Sequence, residues 1–171
     1  DADFNIQSTV SLADLQKKVE ESGGGFYVQY SASDAEGNIY ISLDNSMYVI
    51  DSEGKEKFKV DFDNWINGMF VTSGGQVVVM YYNDQYDMEI APVDMNTKAL
   101  GTPFENLPSM DGSSSNIYPA GDGRLYIVGS TKLFLYDMNT QTSEEILDWI
   151  ACDINTNNLA GFAVLDDGSF V

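Results

Sequence analysis

Side chains able to hold a ligand gather around two stretches of this chain. Tyr82 and Tyr86 flank Asn83-Asp-Gln-Tyr-Asp87, which sets two phenol rings beside Asp84 and Asp87. Trp65 follows Asp63 and Asn64, and Trp149 follows Asp148. Aromatic faces beside acids and amides suit a sugar: the ring stacks on C–H surface while carboxylates and amides bond hydroxyls. The candidate ligand contacts are therefore Tyr82, Asp84, Tyr86, Asp87, Trp65 and Trp149. The two tryptophans recur in register, fourteen and twelve residues after Asp51 and Asp137. An aromatic repeated in this way packs between structural units more often than it meets a ligand. Tyr86, at a predicted loop tip, and Asp84 carry the ligand reading best.

Other chemistries have thinner support. The chain contains no histidine, which removes imidazole from general-base, triad and zinc roles. Cys152 is the single cysteine and cannot form an intramolecular disulfide; its apolar neighbours in Trp149-Ile-Ala-Cys predict a buried, inert thiol. Asp153-Ile-Asn-Thr-Asn157 opens like a calcium loop. An EF-hand, however, needs Gly at position six and Glu at position twelve, where this chain has Asn158 and Val164. An Asx turn is the better reading there, and Asp61, Asp63 and Asn64 form a cluster of equally weak claim. Gly23-Gly-Gly25 lacks the Lys-Ser/Thr and preceding strand of a phosphate loop. With twenty-seven acids some carboxylate pair is always available, so pairing alone says nothing about glycoside cleavage. No metal and no cofactor are expected, and non-catalytic binding is favoured.

Charge narrows the partners. Twenty-seven acidic against eight basic residues give a formal charge of −19. A field of that sign repels phosphate backbones and anionic lipid, and one arginine makes no basic patch, which excludes nucleic acid as a partner. No run of about 18 apolar residues exists to span a membrane. At 43% apolar and 12% aromatic, the chain has material for a core.

The elements that position these residues come from a repeat. Glycines recur at Gly37, Gly75, Gly123 and Gly168, each opening an apolar run such as Asn38-Ile-Tyr-Ile or Arg124-Leu-Tyr-Ile. Aspartates follow at Asp51, Asp94 and Asp137, 43 residues apart. Short strands rich in Tyr, Val, Ile and Phe between Gly, Asp and Asn turns, repeated at this period, predict β-propeller blades rather than a sandwich. The predicted fold is all-β: about three and a half four-stranded antiparallel blades over 26–66, 67–108, 109–150 and 151–171, the last truncated. Strands are expected at Phe26–Ser33, Asn38–Leu43, Met47–Ile50 and Lys57–Phe62 in the first copy. The second should hold Asn67–Thr72, Gln76–Tyr82, Met88–Val93 and Ala99–Phe104. The third should hold Asn116–Ala120, Arg124–Val128, Lys132–Tyr136 and Thr142–Leu147. Residues 1–25 form an extension with a short helix from Ser11 to Ser22. Ser11-Leu-Ala-Asp14 resembles its capping box and Gly23-Gly-Gly25 its stop, while Phe4 and Ile6 suit an outer strand.

Three and a fraction blades fall short of the roughly four to eight that close a ring. The expectation is a fragment of a longer protein, or a half-ring that self-associates through its open sheet edges. In a four-strand meander the first and third turns share one face, and the second turn and the inter-blade connection share the other. The long loops Asn83–Asp87, Glu105–Ser115 and Asp148–Ala160 all map to that second face, the candidate binding surface.

The run Leu147-Asp-Trp-Ile-Ala-Cys-Asp-Ile-Asn155, with Asn158-Leu-Ala-Gly-Phe-Ala-Val-Leu-Asp-Asp-Gly168, resembles the N-terminal propeller-like region of extracellular solute-binding lipoproteins in Firmicutes, including gut Clostridia. The likeness is sharp over about twenty residues and elsewhere amounts to shared blade pattern. It implies a lipid-anchored location outside a Gram-positive cell, and partnership with a carbohydrate ABC transporter or another surface protein. No site residue is carried over, because the family's sugar-binding domain has no counterpart in this chain. A truncated propeller enzyme of glycoside hydrolase or lyase type is the alternative reading.

Overall fold

A computed structural model describes residues 9–108 and 116–154, which hold one helix and twelve strands. Blade one comprises β1 (Tyr30–Ser33), β2 (Ile39–Leu43), β3 (Ser46–Ile50) and β4 (Glu56–Asp61). Blade two comprises β5 (Ile66–Val71), β6 (Val77–Tyr82), β7 (Met88–Asp94) and β8 (Ala99–Leu100). Blade three comprises β9 (Asn116–Gly121), β10 (Arg124–Val128), β11 (Lys132–Asp137) and β12 (Thr142–Asp148). Each set is an antiparallel meander hydrogen-bonded in chain order. The first strands of successive blades, β1 with β5 and β5 with β9, lie against one another at the inner edge. This is the architecture of a partial β-propeller. Phe4, Ile6 and the predicted start of a fourth blade, Gly161–Leu165 with the turn to Gly168, lie outside the described residues.

Strand alternation builds the stack. On β6, Val77, Val79 and Tyr81 face blade one, while Val78 and Met80 face blade three. Both faces of this strand are buried, so it reads as a continuous apolar run. Each fully buried valine contributes about 1.5–3 kcal/mol. Tyr40, Met47, Val49 and Val60 answer from blade one, and Leu125, Ile127 and Tyr136 answer from blade three.

The outer face of blade one is covered by α1 (Ala13–Glu21), whose Leu15 and Val19 sit among Ile41, Leu43, Tyr48 and Ile50. Lys18 Nζ meets Glu56 Oε2 at 2.6 Å across this contact. The helix ends in a Schellman motif: Gly23 N donates to Glu20 O and Gly24 N to Val19 O, both at 3.0 Å, with Gly23 at φ +87°. Its start differs from the expected capping box. The cap position is Leu12 without a side-chain bond, and Ser11 Oγ accepts only a long bond from Ala13 N at 3.4 Å. The helix begins one residue later than a Ser11 cap requires, which leaves Asp14 in the first turn, where its charge favours the dipole.

Strand β8 is shorter than expected. Backbone bonds continue from Gly101 N to Pro92 O and from Phe104 N to Ile90 O, but Pro103 has no N–H to give and the ladder breaks up. Blade one's first strand likewise starts at Tyr30 rather than Phe26. Among the described residues no helix is long and apolar enough to cross a membrane.

Candidate functional site

Four loops share one backbone template of five residues: 34–38, 51–55, 72–76 and 83–87. In each, the first residue's N–H donates to the fifth residue's carbonyl, and the fourth residue's N–H donates to the first residue's carbonyl, at 2.9–3.3 Å. The first side chain closes the loop. Asp34 Oδ1, Asp51 Oδ1 and Asn83 Oδ1 each accept two backbone N–H bonds of 2.9–3.0 Å, and Thr72 Oγ1 accepts one from Gln76 N at 3.1 Å. The fourth position lies in the left-handed region, at φ +82° for Gly37, +86° for Gly54, +79° for Gly75 and +63° for Tyr86. Glycine takes this conformation freely, whereas a side chain there costs about 1–2 kcal/mol. Gly54 is doubly required, since a Cβ on it would lie 2.6 Å from Ser11 O. Three loops keep the glycine; the fourth holds an aromatic instead. Of the seven non-glycine residues with positive φ among the described residues, Tyr86 alone is aromatic.

The repeated aspartates are turn-makers of the same kind. Asp94 Oδ1 accepts from Asn96 N at 2.8 Å and Thr97 N at 3.3 Å, and Asp137 Oδ1 from Asn139 N at 2.8 Å and Thr140 N at 3.1 Å. Backbone N–H donors hold the carboxyls of Asp51, Asp94 and Asp137 below the ordinary aspartate range.

Loop 83–87 and the connection 62–65 lie on the same face of the stack and together enclose a groove of about 400 Å³. Asp63, Asn64, Trp65, Tyr82, Asn83, Asp84 and Tyr86 line it. Trp65 is 63% exposed and Tyr86 86% exposed, so both rings offer their faces to solvent. Asn83 is occupied by the fold: its Oδ1 closes the loop and its Nδ2 donates to Glu89 Oε1 at 2.8 Å. Glu89 also accepts from Tyr81 Oη at 2.6 Å; burial foremost, then this bond, pushes the Tyr81 phenol up. Among the described residues, no hydrogen bond or ion pair engages the carboxylates of Asp63 and Asp84.

Four of the six predicted contacts, Trp65, Tyr82, Asp84 and Tyr86, thus meet in one groove. Asp87 closes the loop through its backbone and does not line it. Trp149 is elsewhere and 5% exposed, packed with Val128 and Leu133 while its Nε1 donates to Gly129 O at 3.2 Å. Trp149 is thus a packing residue, but its neighbours all belong to blade three rather than to an adjacent blade, and Trp65 is not packed at all. Beside it, Cys152 is exposed, not buried as its neighbours suggested. The chain turns back on itself there, with Cys152 N on Asp148 O and Ile154 N on Trp149 O, so Trp149 points inward while Ile150 and Cys152 point out. Asp153 is exposed at φ +58°, and Asn155–Asn157 of the supposed calcium loop lie outside the described residues. No group of three or more metal-ligating side chains occurs among the described residues. Asp61 bonds Ser46 Oγ at 2.7 Å and pairs with Lys59, separating it from Asp63.

A larger cleft of about 620 Å³ opens on the opposite face, between Ser33–Tyr40 and Val71–Gly75. Reading loop length from sequence passes over it as a face of tight turns, but 34–38 and 72–76 share the five-residue template of 83–87, which is equally tight rather than long. Of the cleft's two acids Glu36 is exposed and Asp34 is already used: Asp34 Oδ2 accepts from Asn38 Nδ2 at 2.7 Å and Tyr40 Oη at 2.8 Å. Burial works to raise the Asp34 carboxyl, but these bonds and two backbone N–H groups bring it below its ordinary value. Burial first, then Asp34, pushes the Tyr40 phenol up to about 12. The aromatic lining separates the two: Tyr40 in this cleft is 4% exposed, whereas the smaller groove offers the open rings of Trp65 and Tyr86.

No family model and no curated protein matches this chain. Solved structures do. A protein of unknown function from Bacteroides caccae aligns at TM-score 0.53 and 15% identity, covering 85% of this chain and 52% of its own. The extracellular domain of a candidate one-component system from B. thetaiotaomicron aligns at TM-score 0.55 and 16% identity, covering 84% of this chain and 19% of its own. YCF48 bound to a D1 peptide aligns at TM-score 0.53 and 13% identity, covering 70% of this chain and 40% of its own. This chain spans about half or less of each. At these identities the likeness is one of fold, a run of propeller blades.

Proposed function

We propose that this chain is a non-catalytic binding module that works outside the cell and holds a glycan in the groove between Trp65 and Tyr86. The observation that carries the reading is Tyr86. A loop template filled by glycine on the opposite face is filled here by an exposed tyrosine, at a conformational cost that packing does not recover. Trp65 stands across the same groove, with Tyr82 on its wall and the carboxylates of Asp63 and Asp84 free to accept sugar hydroxyl protons. The absence of histidine argues against most acid–base catalysis. Likeness to an extracellular domain, and to the lipoprotein run at Leu147–Asn155, supports a surface protein with a lipid anchor, tied to carbohydrate uptake.

Glycan-array screening followed by titration calorimetry tests this. Oligosaccharide binding that is weakened about tenfold or more by Trp65→Ala and by Tyr86→Ala supports it. Absence of any ligand, or binding indifferent to both substitutions, refutes it.

A further inference from the structure

Resting on that glycan reading, we infer that the groove sorts its ligands by charge: it favours sugars carrying a protonated amine, accepts neutral ones and rejects uronates and sulfated sugars. Every cation in the chain can be accounted for away from the groove. Lys17, Lys18, Lys55, Lys59, Lys132 and Arg124 each face a carboxylate. Lys57 Nζ donates to Asn38 Oδ1 at 2.8 Å, and Lys98 Nζ lies 5.3 Å from the centre of the Phe58 ring. These are all eight basic residues. None of them lines the groove, whose charged members are Asp63 and Asp84.

The sign of the selection follows from what a carboxylate can do. It accepts and never donates, so it takes a sugar O–H or an ammonium N–H but has nothing to offer a ligand carboxylate or sulfate. A sugar O–H already makes a charge-assisted bond to a carboxylate, and an ammonium adds the attraction between two opposite charges. An ammonium also gains from the electron-rich faces of Trp65 and Tyr86, which an anion does not. At low salt the surrounding charge of −19 adds to the same preference, and separating this diffuse field from the two local acids is the purpose of the test.

The experiment is a glycan array carrying amine, N-acetyl and carboxylate forms of otherwise matched β-1,4, β-1,3 and α-1,4 hexamers, with calorimetry on those that bind. It uses the full chain and the Asp63→Asn/Asp84→Asn variant, in low and high salt. The expected order is amine, then N-acetyl, then carboxylate, with about fivefold between the first two at low salt. In the double variant the amine and N-acetyl forms should bind alike, and an unchanged urea-unfolding midpoint reports that the variant is folded. Equal binding of all three forms overturns the charge inference and leaves the glycan reading standing. A preference that survives the double substitution also overturns it, by assigning the effect to the global field. No binding of any form overturns both.

Discussion

Trp65 and Trp149 close their blades at nearly the same register of the repeat, fourteen and twelve residues beyond the anchoring aspartate, yet one is 63% exposed and the other 5%. Their surroundings account for the difference. Trp149 N donates to Thr131 O and its indole N–H to Gly129 O, two bonds that pin the ring over Val128 and Leu133. Trp65 stands at the rim of a connection already bonded through Phe62 N to Asn45 O, with Phe62 and Ile66 filling the core on either side of it. The apolar demand there is met without the tryptophan. A repeat therefore fixes where an aromatic sits on the chain but leaves open which way it faces, and an indole left in solvent where the core is already full is available for a ligand.

The comparison breaks most visibly at Trp149. Trp149→Ala should cost about 3–5 kcal/mol, the loss of a buried aromatic plus the cavity left behind, measured by urea unfolding. A cost below about 1 kcal/mol would mean that the two tryptophans are alike after all.

The second test concerns the turn aspartates. The carboxyls of Asp51, Asp94 and Asp137 have lowered folded values, so the stability they contribute is present above the unfolded value of about 3.9 and is lost as pH falls through the folded value. Thermal melts should weaken progressively below about pH 4. The Asp51→Asn/Asp94→Asn/Asp137→Asn protein should show a flatter acid limb, because an amide oxygen still accepts the N–H bonds and does not titrate in this range. An acid limb that the triple substitution does not alter would remove the anchors from the account.

Much of this architecture was legible beforehand. Gly37, Gly75 and Gly123 mark turns whose positive φ few other residues tolerate, and strand β6 with Val77–Tyr82 reads as buried on both faces. Meander geometry places loop 83–87 and the connection 62–65 on one face, but the loop length used to choose between the faces does not distinguish 83–87 from 34–38, 51–55 and 72–76. What the residues did not disclose is orientation after the last strand of a blade. Cys152 and Ile150 lie in an apolar run yet point outward, because a reversing turn replaces the strand period at Asp148. The signal that singles out Tyr86 was also present and unread: lining up Asp34–Asn38, Asp51–Lys55, Thr72–Gln76 and Asn83–Asp87 puts Tyr86 against three glycines.

That alignment gives the third prediction. Tyr86→Gly should stabilise the fold by about 1 kcal/mol by relieving the left-handed backbone, while Tyr86→Ala should leave stability nearly unchanged because alanine keeps most of the strain. Both should lose ligand. Gain of stability with loss of binding is the mark of a residue kept for function, and it separates Tyr86 from a loop residue that merely tolerates its conformation. If glycine destabilises the loop, the ring packs somewhere and the functional reading of its strain is wrong.

The smallest change in stability is expected at Trp65. Trp65→Ala should fall within about 0.5 kcal/mol of the parent, since the ring contributes little buried surface, and yet weaken oligosaccharide binding about tenfold. The near-silence of the unfolding curve is what gives the binding loss its meaning. When a buried aromatic is removed, lost affinity can follow from a disturbed backbone; with an exposed one, the ring itself must be the contact. Trp149→Ala supplies the opposite pattern in the same protein, a large stability cost with no direct path to the groove. Should Trp65→Ala cost more than about 1 kcal/mol, the indole is a packing residue, the contrast with Trp149 dissolves, and Tyr86 is left without a partner ring across the groove.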